Sequence, residues 1–187
     1  MTTVTEPKLN GIDTDLLSTA LESVRDDAKN GATSWHVSTS WRGGTRSDTR
    51  VTRTRIGDQS LARDFTIPMD EPRELCGTNQ FANPQEHLLG ALNACMTVGF
   101  VATCAAQGIR LDELRIETEG EIDLRGFFAL KDGVPPGYES LRYTVHVKGD
   151  GTPEQFEQVH QTVIATSPNY YNLARPVPLK GRVVVAS

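Results

Sequence analysis

Apolar residues recur at helical spacing soon after the chain begins. Leu16, Leu17, Ala20, Leu21 and Val24 follow Asp13, and Asn30-Gly31 supplies a stop. The pattern predicts a loose polar start and then a short amphipathic helix. At Trp35 the period changes to two: Trp35, Val37, Thr39 and Trp41 alternate with His36, Ser38 and Ser40, as in a half-buried strand. Gly43-Gly44 reads as a turn, Val51, Arg53 and Arg55 alternate with threonines, and Phe65 and Ile67 follow Gly57-Asp58. These segments predict three antiparallel strands, a meander ending at Pro68.

Residues 70–83 read as loop. Pro84 then suits the first turn of a helix, where its missing N–H does no harm, and Gly108 suits the C-terminal cap. Nearly every side chain from Leu88 to Ala106 is apolar or small, which predicts a central helix buried on most of its faces. Leu114, Ile116, Thr118, Ile122 and Leu124 suggest a strand, residues 132–137 a loop, and Leu141, Tyr143, Val145 and Val147 a second strand. Thr152-Pro153-Glu154 carries N-cap and N1-proline chemistry for a helix through Phe156, Val159, Val163 and Ile164, ended by Ser167-Pro168. Residues 182–186 read as a last strand. The order βββ–α–ββ–α–β is that of an α+β protein.

Composition narrows the function classes. The 187 residues suffice for one domain, and 37% hydrophobic with 23% charged residues fits a globular chain. A net charge of −5 argues against a broad basic surface for nucleic acid, though not against a local patch. No stretch is read as the roughly 18 apolar residues of a membrane span, so no membrane partner is expected. The first residues lack the charged and apolar regions of a secretory signal, and three cysteines make no disulfide framework. The expected compartment is the reducing cytoplasm. His36, His87, His146 and His160 are scattered, with no CxxC, HExxH, GxGxxG or P-loop, so neither a metal nor a cofactor is expected.

The stretch DEPRELCGTNQFANPQEHLLGALNACMTVGFVATCAAQGI joins an acidic-Pro loop, an Asn-Pro, a Glu, a Leu-Leu pair and a cysteine eleven residues after the proline. Together with LRIETEGEIDLRG, GYESLRYTVHV and SPNYYNLARPVP, it resembles the OsmC family, the osmotically inducible and organic-hydroperoxide-resistance proteins. The resemblance covers roughly residues 35–186. It implies an OsmC-like fold over 33–187, preceded by a 1–32 extension carrying the short helix. It also implies an intertwined homodimer, in which antiparallel sheets clasp long central helices, and a site at Cys95 near the dimer interface. Members of the peroxidase branch reduce organic hydroperoxides with two cysteines. Here Ser167-Pro168 stands where those members have Cys-Pro, so the chain resembles a branch with one cysteine on the central helix. The arginine of the peroxidase branch corresponds to Arg42 or Arg46. The glutamate after the helix-opening proline is replaced by Gln85, with Glu86 next.

Cysteine attacks peroxide as a thiolate and gives a sulfenic acid that another thiol must reduce. Cys95, among Ala91, Leu92, Met96, Val98 and Gly99, reads on its residues alone as a small core hydrophobe and through the resemblance as the reactive thiol. Cys104 lies nine residues on, about 13.5 Å along an ideal helix and on its opposite side, and reads as core. Cys76 reads as a surface thiol. Glu86 serves either the site or the positive end of the helix dipole. Two functions follow. One is a thiol-dependent redox enzyme reducing organic hydroperoxides with an external thiol reductant. The other is a non-catalytic dimeric protein that binds a small apolar or electrophilic molecule.

Overall fold

The computed structural model describes residues 8–185. The polar first residues and Ala186, the last residue of the expected final strand, lie outside them. The described residues form two compact units that divide between Gly90 and Ala91.

The first unit opens with a small antiparallel hairpin, β1 (Lys8–Leu9) and β2 (Ile12–Asp13). Its turn is Asn10-Gly11, both at positive φ (56° and 77°), the dipeptide that a two-residue hairpin turn favours. Helix α1 (Thr14–Asp26) follows as expected, with the Asp13 carboxylate accepting the Leu16 N–H at 2.9 Å. Strands β3 (Thr33–Trp41), β4 (Ser47–Ile56) and β5 (Gln59–Met69) make the predicted meander, in the order β3-β4-β5. Val37, Val51 and Phe65 share one cross-strand row, and Thr39, Thr49 and Ile67 share the next, so one face is apolar. The opposite face carries serines and arginines. Trp35 (69% exposed) and Trp41 (76%) depart from the half-buried expectation for β3.

The loop before the central helix is organised by Asp70, a residue that the sequence reading left without a role. Its side chain is fully buried and accepts from Thr45 Oγ1 (2.8 Å), Thr78 Oγ1 (2.5 Å) and the backbone N–H groups of Thr78 (2.9 Å) and Gln80 (3.4 Å). The Thr78 hydroxyl above all, helped by these other donors, holds the Asp70 carboxyl well below the usual carboxylate range. A carboxylate depressed in the folded state stabilises the fold above its ordinary range, and this contribution is lost as the pH falls below about 4. Urea unfolding should therefore show Asp70→Asn to be weaker than the wild type at pH 7, with a smaller further loss on acidification to pH 3. Identical pH dependence in the two proteins would remove Asp70 from this role.

In the second unit, helix α2 (Pro84–Ala106, shared at its start with the first unit) packs Leu92, Met96, Phe100 and Cys104 into a core with Ile109, Val159 and Val163. Strands β6 (Leu111–Gly120) and β7 (Leu141–Gly149) pair antiparallel and contribute Leu114, Ile116, Val145 and Val147. Helix α4 (Pro153–Thr166) closes over them, started by a Thr152–Gln155 capping box with Pro153 in the first turn. The helix limits at Pro84 and Pro153 agree with the sequence reading.

Four features of this unit differ from expectation. Helix α2 is buried along one stripe only, and Val98 is 69% exposed. That helix is also long and apolar enough, by length and composition, to cross a membrane, as core helices of soluble proteins can be. Strand β6 stops at Gly120, before Ile122 and Leu124, because the Asp123 carboxylate caps a one-turn helix, α3 (Leu124–Phe127). After Ser167 the chain starts a new helix, α5 (Pro168–Ala174), and residues 182–185 form no strand within the described chain.

Candidate functional site

The central helix is set at both ends by side-chain and backbone chemistry. Asn83 Oδ1 accepts the Glu86 N–H at 2.8 Å, and Glu86 Oε2 accepts the Asn83 N–H at 2.7 Å. Glu86 is thus the reciprocal half of a capping box, the plainer of its two roles. At the other end Gly108 takes positive φ (73°), and the Ile109 N–H donates to the Cys104 carbonyl at 2.9 Å.

Cys95 lies on α2 beside the buried stripe and is half-buried. Its sulfur accepts a hydrogen bond from Ser167 Oγ at 3.3 Å, across 72 residues of sequence. Ser167 is 5% exposed and sits at the junction of α4 and α5. Its N–H donates to the Val163 carbonyl at 2.8 Å, ending α4, and its Oγ accepts the Tyr170 N–H at 3.3 Å, starting α5. Since the hydroxyl oxygen already receives the Tyr170 N–H, its own proton is free to point at Cys95. Asn169 adds a second tie to α2, donating from Nδ2 to the Ala91 carbonyl at 2.8 Å. The sequence reading missed α5 and Asn169. Ser167-Pro168 carries the same cap-then-proline signal that was used for Thr152-Pro153, but it was read only as a stop.

The other two cysteines lie in different surroundings. Cys104 is fully buried, and burial pushes its thiol up to about 11, so it stays protonated and inert. Cys76 is exposed, in the left-handed conformation (φ 64°) at the end of a short 3-10 turn, Arg73–Leu75. Gly77 follows because a Cβ there would lie 1.7 Å from the Glu71 carbonyl oxygen.

The candidate arginines are engaged within the first unit. Arg42 Nε pairs with Asp48 Oδ2 at 2.7 Å on an exposed turn. The Arg46 guanidinium lies over the Phe81 ring, 5.1 Å from its centroid.

A cavity of about 670 Å³ opens between β7 and α4, walled by Phe100, Val145, Val147, Phe156, Tyr143 and His160. Tyr143 Oη and His160 Nε2 are 2.9 Å apart, and burial raises the Tyr143 hydroxyl above its ordinary range. Cys95 is not among the residues that line this cavity.

The family model for OsmC-like proteins matches residues 77–181. Among solved structures, an OsmC-like protein from Mycoplasma pneumoniae aligns with a TM-score of 0.59 at 15% identity, covering 75% of this chain and 87% of that one. An OsmC-like protein of unknown function from Vibrio cholerae O1 biovar eltor gives a TM-score of 0.55 at 12% identity, covering 74% and 92%. At these identities the likeness is one of fold. An uncharacterized Bacillus subtilis (strain 168) protein, YmaD, is 33% identical over 61 residues, 32% of this chain. The match spans about two fifths (41%) of that relative's length.

Proposed function

The chain belongs to the OsmC-like protein family, and on that premise we propose that it is a thiol-dependent redox protein that reduces organic hydroperoxides through Cys95. The observation that carries the reading is the Ser167 Oγ to Cys95 Sγ hydrogen bond of 3.3 Å. The Ser167 hydroxyl, itself held by the Tyr170 N–H, donates to the sulfur and fixes the position of the Cys95 side chain; the thiolate is the form of cysteine that attacks peroxide. In the reaction the Cys95 thiolate attacks the terminal oxygen of the hydroperoxide and the O–O bond breaks. The alkoxide leaves, takes a proton and becomes an alcohol, while Cys95 becomes a sulfenic acid. A serine hydroxyl cannot resolve that acid as a disulfide. One external thiol displaces water to form a mixed disulfide, and a second thiol releases Cys95 and leaves as the oxidised reductant. Arg42 or Arg46 supplies the cation in this reading, and Arg42→Ala or Arg46→Ala slows Cys95 oxidation. The compartment is the cytoplasm, where such external thiols stay reduced.

The experiment is consumption of cumene hydroperoxide by the full chain with a dithiol reductant. Turnover that depends on both protein and dithiol is expected. Absence of any protein-dependent loss would favour the second reading, a non-catalytic small-molecule-binding protein. That reading is favoured by the cavity of about 670 Å³, where apolar Phe100, Val145 and Phe156 meet polar Lys148 and Glu157 and the Tyr143–His160 pair.

A second copy of the chain is the partner in either reading. Trp35, Val37, Trp41 and Phe65 on the three-stranded sheet, Val98 on α2, and Val183, Val184 and Val185 near the C-terminus are all exposed. Apolar surface on this scale is uncommon on a monomer. Sedimentation at micromolar concentration is expected to give about twice the chain mass of 20.5 kDa; a folded species at the single-chain mass contradicts the dimer.

A further inference from the structure

The polar face of the β3-β4-β5 sheet carries a feature that the cysteine chemistry does not use. Arg53 and Arg55 project from the same face of β4, two residues apart. Cross-strand pairing sets Arg55 in one row between Ser34 on β3 and Ser60 on β5, and pairs Arg53 with His36. These residues, with Trp35, wall a cavity of about 340 Å³. Among the described residues neither guanidinium meets a carboxylate, and the Arg55 side chain donates from Nη1 to the Gly57 carbonyl at 3.4 Å. Arg46, Arg63 and Arg175 lie over aromatic rings. Arg42, Arg50, Arg110, Arg115, Arg125 and Arg142 all pair with Asp or Glu.

Two guanidinium groups side by side repel each other, and a chain with net charge −5 has carboxylates available to neutralise them. Arg50, on the same face and three residues away, has Asp64 at 2.7 Å. With no carboxylate beside them among the described residues, Arg53 and Arg55 border a concavity with two serine hydroxyls, and the pocket is rich in hydrogen-bond donors. Guanidinium groups match the planar pairs of oxygens on a phosphate, and the hydroxyls can donate to the remaining ones. The size of the cavity suits a single small group rather than the track of a polymer.

We propose that the Ser34–Arg55–Ser60 row, together with Arg53 and His36, is a binding site for a dianionic phosphate group, free or as a small phosphomonoester. The site is independent of Cys95 and stands whether or not the protein turns over hydroperoxide. Isothermal titration calorimetry of the full chain at constant ionic strength tests it, using inorganic phosphate, phenyl phosphate and acetate. Saturable binding of at least one phosphate probe, with acetate silent, is expected, and the tighter probe distinguishes free phosphate from a monoester. Arg53→Gln and Arg55→Gln should each raise the Kd by about tenfold, the loss of one charge-assisted contact. Arg50→Gln, whose arginine is already paired, should change it less than about twofold. Circular dichroism of each variant checks that the sheet is intact. Failure of both phosphate probes to bind, equal binding of acetate, or phosphate binding that survives both Arg53→Gln and Arg55→Gln in folded protein overturns the proposal.

Discussion

Replacing Cys95 by serine leaves the protein folded and lowers dithiol-dependent hydroperoxide consumption by about a thousandfold or more, the order of loss when an attacking nucleophile is removed. The fold survives because Cys95 is half-buried beside the core stripe, not within it, and a serine there can still accept from Ser167 at little change in volume. The two remaining cysteines do not substitute. Cys104 is fully buried with its thiol pushed up to about 11, which denies it both peroxide and the thiolate form. Cys76 is exposed, and no hydroxyl among the described residues donates to its sulfur as Ser167 does to Cys95. Initial rates at matched protein concentration measure the effect. Activity in Cys95→Ser within a few-fold of the wild type would move the chemistry elsewhere.

Ser167→Cys has the second large effect, and it changes the kind of chemistry rather than its rate. The native Oγ lies 3.3 Å from Cys95 Sγ, so a thiol there needs only a shift of about 1 Å to reach disulfide bonding distance. One equivalent of an organic hydroperoxide should then consume two thiols and lower the intact mass by two hydrogens. In the wild type it should add one oxygen. The link closes a loop across 72 residues and should stabilise the oxidised variant by about 4 kcal/mol on the chain-entropy account. The reduced variant serves as the reference in thermal unfolding. Retention of the second thiol after oxidation would mean that the two side chains do not stay in contact in solution.

The parts of this molecule that sequence reading recovers are those written in local chemistry. Pro84 and Gly108 bracket the central helix because each residue type suits only that end. Thr152-Pro153 marks the start of α4, and alternation finds β3, β4, β5 and β7. The losses come where a local signal was passed over or a non-local contact decides. Asn10-Gly11 is a strong hairpin signal, but the polar residues around it mask the two short strands it joins. Ile122 and Leu124 continue an apolar pattern, but capping by Asp123 bends the chain into α3. Residues 182–185 read as a strand and find no partner within the described chain. A strand needs an edge to pair with, and the sequence alone does not say which molecule supplies it.

The candidate site divides the same way. Cys95 emerges from the family resemblance, since its immediate neighbours are those of any core helix. Its contact with Ser167 was not legible, because it depends on α4 ending where it does and on Tyr170 N–H holding the serine oxygen. The sequence offers Glu86 two roles, and its bonds to Asn83 place it in the capping one. Asp70, with four donors around one carboxylate, was invisible because those donors come from Thr45, Thr78 and Gln80, up to 25 residues away.

The most direct test of the account is the product of a single oxidation. Wild-type protein is treated with one equivalent of an organic hydroperoxide in the absence of reductant, trapped with a sulfenic-acid reagent, digested and mapped by mass spectrometry. The account predicts one added oxygen per chain, trapped on Cys95, with Cys76 and Cys104 recovered as free thiols. Oxidation mapped first to Cys76, prompt loss of two thiols as a Cys76–Cys95 link, or no oxidation of Cys95 at all would contradict it.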